Sequence, residues 1–281
     1  EMWNKLLSKS PNGLDIDYGE YDGRISAQLI KAAGQVIINW LRHQYPEFNI
    51  NDERAIWVLI DEMIHTYTIA KGTLYMTHQG NPSGNPLTVI INTIVNFLLM
   101  CIAWVLIMRV MKPELQGLHN FEENVTIKIY GDDNIMSIKN DVIEIFNLES
   151  ICIVLNSFGL NCGSAAKDGK SYTYKPLVEC TFLKQGIQRD TEYEYLIHPL
   201  MDKTTITELT NWIKKGPDNV LSCTDNIKDA LGFAVHYGKE YYDDFKSRVQ
   251  TALIEARISM TLPSYRSLRW DWLAKCGIAV S

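Results

Sequence analysis

The chain has 281 residues, 46% of them hydrophobic and 21% charged, so it can bury one large core or two modest ones, and its composition excludes a disordered or low-complexity polypeptide. Its net charge of −6 speaks against a protein that is basic overall, as nucleic-acid binders commonly are, but leaves local basic patches and an acidic metal site open. The six cysteines are widely spaced with no Cys-x-x-Cys pair and read as reduced thiols, not as a disulfide framework or a zinc site; the six histidines show no metal-ligand spacing.

Glu1 to Lys5 has no signal-peptide character. Leu14 to Tyr18 reads as a strand after the turn Pro11-Asn12-Gly13, and Gly19 to Gly23 as a loop. Ile25, Leu29, Ala32, Ala33, Val36, Ile37, Trp40 and Leu41 recur at helical spacing. Asp17 and Asp22 then fall at a strand end and at the start of the following helix, where a strand-end turn and an N-cap explain them equally well. A second helix is expected over 52–70 and a short strand over 74–78. Residues 79–86, rich in Gly, Pro, Asn and Ser, form a constrained loop. A long helix follows to about Met111, with Pro86 suited to its first turn. Its apolar run Phe97 to Met108 is too short to span a bilayer and reads as a buried core helix. Thr88, Asn92 and Asn96, four apart, make a polar stripe on this apolar helix; buried polar groups need partners, either neighbouring backbone or a site they line.

Residues 125–138 hold two β-type runs around the break Tyr130-Gly131-Asp132-Asp133-Asn134, a hairpin with two carboxylates at its tip. Adjacent like charges repel unless a cation or water relieves them. Alone, the tripeptide reads as a solvated turn or as half of a divalent-metal site. A helix is expected over 142–158, a loop or strand edge over 160–171 with Lys167, and a strand and turn over 177–185. Beyond Pro199 the pattern is helical (204–214, 225–237, 240–258 and a final turn at 268–274) and near charge balance, which places a boundary near 195 between domains 1–195 and 196–281. If the first strand lies beside the hairpin, Asp17 and Asp132 converge, and carboxylates with few histidines suit hard ions such as Mg²⁺ or Mn²⁺.

Taken together, these motifs resemble the RNA-dependent RNA polymerases of picorna-like positive-strand RNA viruses. The resemblance is carried by Asp17-Tyr18-Gly19-Glu20-Tyr21-Asp22, by Asn81-Pro82-Ser83-Gly84 through Asn92, by Tyr130-Gly131-Asp132-Asp133, by Gly159-Leu160 through Lys167, and by Phe182-Leu183-Lys184-Gln185, where Gln185 replaces a more usual Arg. It implies an α+β right-hand polymerase palm, an antiparallel sheet with flanking helices, followed by a helical thumb. The fingers region of that family would precede the first motif, and only residues 1–13 precede Leu14, so palm and thumb from a larger polymerase or polyprotein are expected.

The resemblance further implies that Asp17, Asp132 and Asp133 hold two Mg²⁺ or Mn²⁺ ions and that Lys167 donates a proton to the leaving pyrophosphate. Asp22, Ser83 and Asn92, helped by Thr88, would surround the ribose 2′-hydroxyl. Gly84 would let its loop flex around the template, and Phe182, Leu183 and Lys184 would support the 3′ end of the growing strand. The implied partners are an RNA template and product duplex, ribonucleoside triphosphates and other viral replication proteins. The implied setting is the host cytoplasm at membrane-associated replication complexes, without direct membrane insertion. A reverse transcriptase is the first rival, disfavoured because Asp22 with Asn92 suits ribonucleotides. The second is a catalytically incomplete RNA-binding or assembly module that keeps the palm. A structural protein with an accidental Gly-Asp-Asp turn would need the whole motif order to arise by chance.

Overall fold

The computed structural model describes residues 1–164, 172–213, 216 and 218–278. It divides into two compact units, Glu1–Leu183 and Lys184–Ser281. The first unit holds, in order, α1 (Met2–Lys9), β1 (Asn12–Gly19), α2 (Tyr21–Arg24), α3 (Ala27–Gln44), α4 (Ile50–Ile64), β2 (Tyr67–Ala70), β3 (Thr73–Met76), α5 (Thr88–Met111), α6 (Leu118–Asn124), β4 (Val125–Tyr130), β5 (Asp133–Ile138), α7 (Asn140–Ile143), α8 (Leu148–Ser157), β6 (Asn161–Ser164) and β7 (Lys175–Pro176). Its main sheet runs β4-β5-β1-β6, with β7 pairing the start of β1; every pairing is antiparallel.

The alternation of β1 puts Leu14, Ile16 and Tyr18 on one face, into a core shared with α3, α4, α5 and α8. At the centre of that core is α5, whose Val95, Leu99, Met100, Ala103 and Trp104 are fully buried. At 24 residues, with a mean hydropathy of 2.4 over its most apolar window, α5 is long and apolar enough to cross a membrane, which the twelve-residue run within it did not convey. Here half of its most apolar window is buried inside the protein. Helix ends follow local chemistry: Ser26 accepts from the Leu29 N–H at the start of α3, and Asn49 and Asn147 form capping boxes on α4 and α8.

The second unit holds the hairpin β8 (Gln185–Arg189) and β9 (Ile197–Met201), then α9 (Lys203–Leu209), α10 (Asn219–Ala234), α11 (Lys239–Glu255) and α12 (Tyr265–Lys275). Ile206, Leu231, Tyr242 and Phe245 lie in a core of their own. The break falls at Leu183/Lys184, upstream of the boundary drawn at 195, because β8 and β9 pair with each other and group with the helices that follow.

Several elements differ from expectation. The second helix stops at Ile64; Tyr67–Ala70 and Thr73–Met76 pair as a hairpin around Lys71 and Gly72, both at positive φ. The β-branched and aromatic run there prefers a strand, and a glycine-containing two-residue turn joins it. The helix expected over 142–158 is broken at Asn147, which caps α8. A single 3₁₀ turn at Leu177–Glu179 precedes β8 where one strand was expected. The cysteines are not all free thiols: packing of α8 on β6 brings Cys152 and Cys162 together as a disulfide, with Cα atoms 5.6 Å apart.

Candidate active site

Asp17 lies near the end of the central strand β1. The β1–β5 register pairs Asp15 with Ile135 and Ile16 with Asn134, so the next step along both strands reaches Asp17 and Asp133. On its other side Asp17 pairs with Gly163 of β6. The β4–β5 turn, Gly131-Asp132, stands at this same end of the sheet. Gly131 has φ +66°, a conformation a Cβ disfavours.

Helix α5 holds this turn from beneath. The Gly131 N–H donates to Thr93 Oγ1 at 2.8 Å. The Asn96 amide donates to the Gly131 carbonyl at 3.2 Å and the Asp132 carbonyl at 2.9 Å. The Asn96 oxygen accepts from the Tyr18 hydroxyl at 2.9 Å and from Asn134 Nδ2 at 3.3 Å. Asn96 is fully buried. The backbone of the acidic turn is thus fixed while the Asp132 residue stays exposed. Burial, and then the negative charge of Asp132, push the Tyr18 phenol far above its usual range, which keeps it a proton donor to Asn96. The Tyr21 phenol is raised by burial and by Tyr18, Asp132 and Asp22, so the two aspartates share one electrostatic neighbourhood.

Asp22 sits on α2, just beyond β1. Its Oδ1 accepts from Asn92 Nδ2 at 2.5 Å and its Oδ2 from the Ser83 hydroxyl at 3.2 Å. Asn81 completes the set: its Nδ2 donates to the Asn92 oxygen at 2.8 Å and to the Thr88 carbonyl at 3.1 Å. The loop reaches α2 through the Asn81 N–H to the Asp22 carbonyl at 2.8 Å. Gly80, at φ +87°, lies so close to α2 that a Cβ would stand 3.0 Å from the Asp22 carbonyl oxygen. Asp22, Gly23, Thr68, Gln79 and Ser83 are among the residues lining an open cleft of about 270 Å³.

The structure therefore brings Asp22, Ser83 and Asn92 into one hydrogen-bonded set, and Asp17, Asp132 and Asp133 to one end of the sheet. Thr88 meets this set only through its carbonyl, which accepts from Asn81; its hydroxyl donates to the Pro82 and Asn85 carbonyls at 2.6 and 2.7 Å, because it stands in the first turn of α5 where loop carbonyls lie within reach. Gly84 is exposed in the turn at 83–84 with open space around it. Phe182 packs half-buried against a small cluster of Leu6, Ile135, Leu177 and Cys180. Leu183 and Lys184 are exposed, with φ +54° and +59°. Lys167 lies outside the described residues. Sequence reasoning placed Asn96 in a stripe and Asn81 in a motif but gave neither a role; Thr93 carried no signal, since one threonine on an apolar helix has no visible partner.

The donors at the sheet end are carboxylates without sulfur or imidazole, a hard oxygen set that fits Mg²⁺ or Mn²⁺. Among the described residues, no group of three or more His, Cys, Asp or Glu is gathered to hold a metal. The fit is thus to ions that take one or two protein carboxylates and keep water or substrate phosphate oxygens in their remaining positions.

The fold is that of a polymerase. The Sicinivirus 3Dpol RNA-dependent RNA polymerase superposes with a TM-score of 0.79 at 20% identity, covering 98% of this chain and 54% of that one. The profile of the viral RNA-dependent RNA polymerase family matches residues 1–254, and the chain belongs to that family. The genome polyprotein of Rice tungro spherical virus (strain A) is 30% identical over 277 residues, 98% of this chain but 8% of that protein. The replicase polyprotein of Drosophila C virus is 29% identical over 265 residues, 92% of this chain and 15% of that protein. The chain thus spans a small part of these relatives' length.

Proposed function

We propose that this chain is the palm and thumb of a viral RNA-directed RNA polymerase and extends an RNA strand by ribonucleotidyl transfer. The observation that carries this reading is the Asp22 carboxylate, held by Asn92 and Ser83 beside the end of the sheet where Asp17 and Asp132 stand. Asp17 and Asp132 would hold two Mg²⁺ or Mn²⁺ ions, with Asp133 as a supporting ligand or charge. When bound, the ions supply Lewis-acid activation of a 3′-hydroxyl and neutralise charge on the leaving pyrophosphate.

Further residues take tasks around that chemistry. Asn96 and Thr93 keep the acidic turn in place. Asp22, Asn92 and Ser83 meet the ribose hydroxyls; a deoxy-substrate would leave these polar groups unpaired, which is the basis of its rejection. Lys167 donates the proton to pyrophosphate. Phe182, Leu183 and Lys184 support the 3′ terminus, and the helical second unit grips the product duplex through its backbone. The polyprotein relatives support a setting among other viral proteins. Replication in the host cytoplasm at membrane-associated complexes is part of the same proposal and rests on the family resemblance. The test is titration of ribonucleoside triphosphate into the chain with and without Mg²⁺ or Mn²⁺. Binding is expected to require the metal and to weaken about tenfold or more in Asp17→Ala, the loss of one charge-assisted ligand. Metal-independent binding, unchanged by that substitution, would refute the assignment.

A further inference from the structure

Asp15 stands two residues before Asp17 on β1 and therefore on the same face of the strand. It is 1% exposed. Its Oδ1 lies 2.9 Å from Nζ of Lys175, which is 6% exposed. Its Oδ2 accepts from the Thr181 N–H at 2.7 Å and from the Thr181 hydroxyl at 3.2 Å. Lys175 arrives through β7, where it pairs with Gly13 at the start of β1. One buried carboxylate thus ties two later segments of the first unit to the strand that carries Asp17.

Stability alone is a poor reason for this arrangement. Taking two charges out of water costs several kcal/mol per ion, and well-packed apolar residues in their place are commonly as stable or more so. What the pair adds is a fixed position. Leu183, two residues beyond Thr181, is held at φ +54° with a branched side chain, a conformation that persists only where its surroundings over-determine it. Upstream, Cys180 is fully buried and its N–H closes the Leu177–Glu179 turn. Thr181 is the last residue bonded to Asp15; Phe182 then packs half-buried, and the strained, exposed Leu183 follows.

We propose that Asp15 and Lys175 form a positioning unit for the growing strand's 3′ terminus. Through Thr181 they set Phe182 and Leu183 at a fixed distance from Asp17 on the same strand. This rests on the reading of residues 182–184 as support for that terminus. Neither Asp15 nor Lys175 touches the reacting atoms; both act through Thr181. An error of about 1 Å in presenting a reacting group can cost on the order of a hundredfold in rate, which gives such a tether its value.

The test uses the 281-residue chain, the double variant Asp15→Ala/Lys175→Met and the single variant Thr181→Val. The double variant removes both charges together, so neither is left bare in the interior. Two properties are read: hydrogen exchange of the Thr181 amide, and fluorescence of an RNA primer–template with 2-aminopurine at the primer's 3′ end, with affinity followed through a label at the far end. In the double variant the Thr181 amide is expected to exchange about tenfold faster or more, the worth of one hydrogen bond to a charged group. Its 3′-terminal fluorescence is expected to move to that of a frayed end, while far-end affinity changes less than about twofold, since phosphate contacts elsewhere carry the affinity. Thr181→Val, which leaves both charges in place, gives a smaller shift in the same direction and decides the matter if the double variant does not fold. A wild-type chain that orders the terminus, with both variants indistinguishable from it, overturns the inference alone. A wild-type chain that binds no primer–template removes the primer-end reading, and this inference with it.

Discussion

Asn92 spends its amide in both directions, accepting from Asn81 and donating to Asp22, and so orients a carboxylate that has Ser83 on its other oxygen. Asn92→Ala frees Asp22 to turn, and the ratio of kcat/KM for ribonucleoside over deoxyribonucleoside triphosphates is expected to fall on the order of a hundredfold or more. A ratio unchanged in single-nucleotide incorporation would place ribose selection elsewhere. Asn96 is structural in a different sense. Asn96→Ala removes an acceptor from the Tyr18 hydroxyl and a donor from the Gly131 and Asp132 carbonyls, and chemical denaturation is expected to show a loss of about 3 kcal/mol. The four-residue spacing of Thr88, Asn92 and Asn96 was legible in the sequence, and so was the need of a buried stripe for partners. Which partners each found was not: Asn96 reaches a turn 35 residues away, Thr88 turns back on its own loop, and Asp15 meets Lys175 across 160 residues of chain. The Asn96 and Asp15 pairings exist only once the sheet has set its register.

At the scale of elements, the hairpin of the second unit is fastened to α12 and the turn after α10 by a buried polar chain. Asp190 accepts from Arg269 at 2.8 Å and meets His198 Nε2 at 2.7 Å; His198 Nδ1 lies 2.9 Å from His236 Nδ1, and Trp272 stacks on the His198 ring at 4.2 Å. The imidazole–imidazole contact needs one nitrogen to keep its lone pair, so both rings cannot be charged while it stands. Burial, and then the neighbouring His198, push His236 down to about 4, and burial lowers His198 against the pull of Asp190. A histidine with a depressed folded pKa contributes its full stability above the unfolded value near 6.5 and loses it as the unfolded chain takes up protons below that. Between pH 6.5 and 4 the loss from His236 is expected to approach about 3 kcal/mol. Asp190 behaves oppositely to a plain buried acid. Burial would raise it, but Arg269, two backbone N–H groups and His198 hold it well below the carboxylate range, so its contribution survives to more acid pH. Thermal melting from pH 7.5 to 4.5 should show the fall, and His236→Phe should flatten it; a flat wild-type profile would contradict the assignment. None of this chain was legible beforehand, because three of its members stand in segments that periodicity describes only as strand, turn or helix end. Helix boundaries failed for a related reason: at Asn147 and Tyr67 a capping side chain and a run of strand-forming residues overrode an apolar pattern that continued through them.

For the whole molecule, the order of motifs along the sequence was a better guide than any one of them. A strand with Asp17, a loop with Ser83, a stripe on α5 and a hairpin with Asp132 were each ambiguous; the antiparallel sheet and the α5 contacts join them at one end of a single unit. The second unit has its own core, and its hairpin β8–β9 starts at Gln185, which the sequence pattern had left with the first unit. The chain spans 54% of the Sicinivirus 3Dpol chain it superposes on, so polymerisation is tested both in this chain and in a longer polymerase that carries it. The measurement is primer extension on a homopolymer RNA template with Mg²⁺ or Mn²⁺, comparing the native sequence with Asp132→Ala in each length. Ribonucleotide incorporation by the longer chain, abolished by Asp132→Ala while RNA binding persists, is the predicted result. Incorporation that survives the loss of Asp132 would contradict the metal-site assignment; RNA binding with no incorporation by the native sequence at either length would contradict the polymerase reading itself.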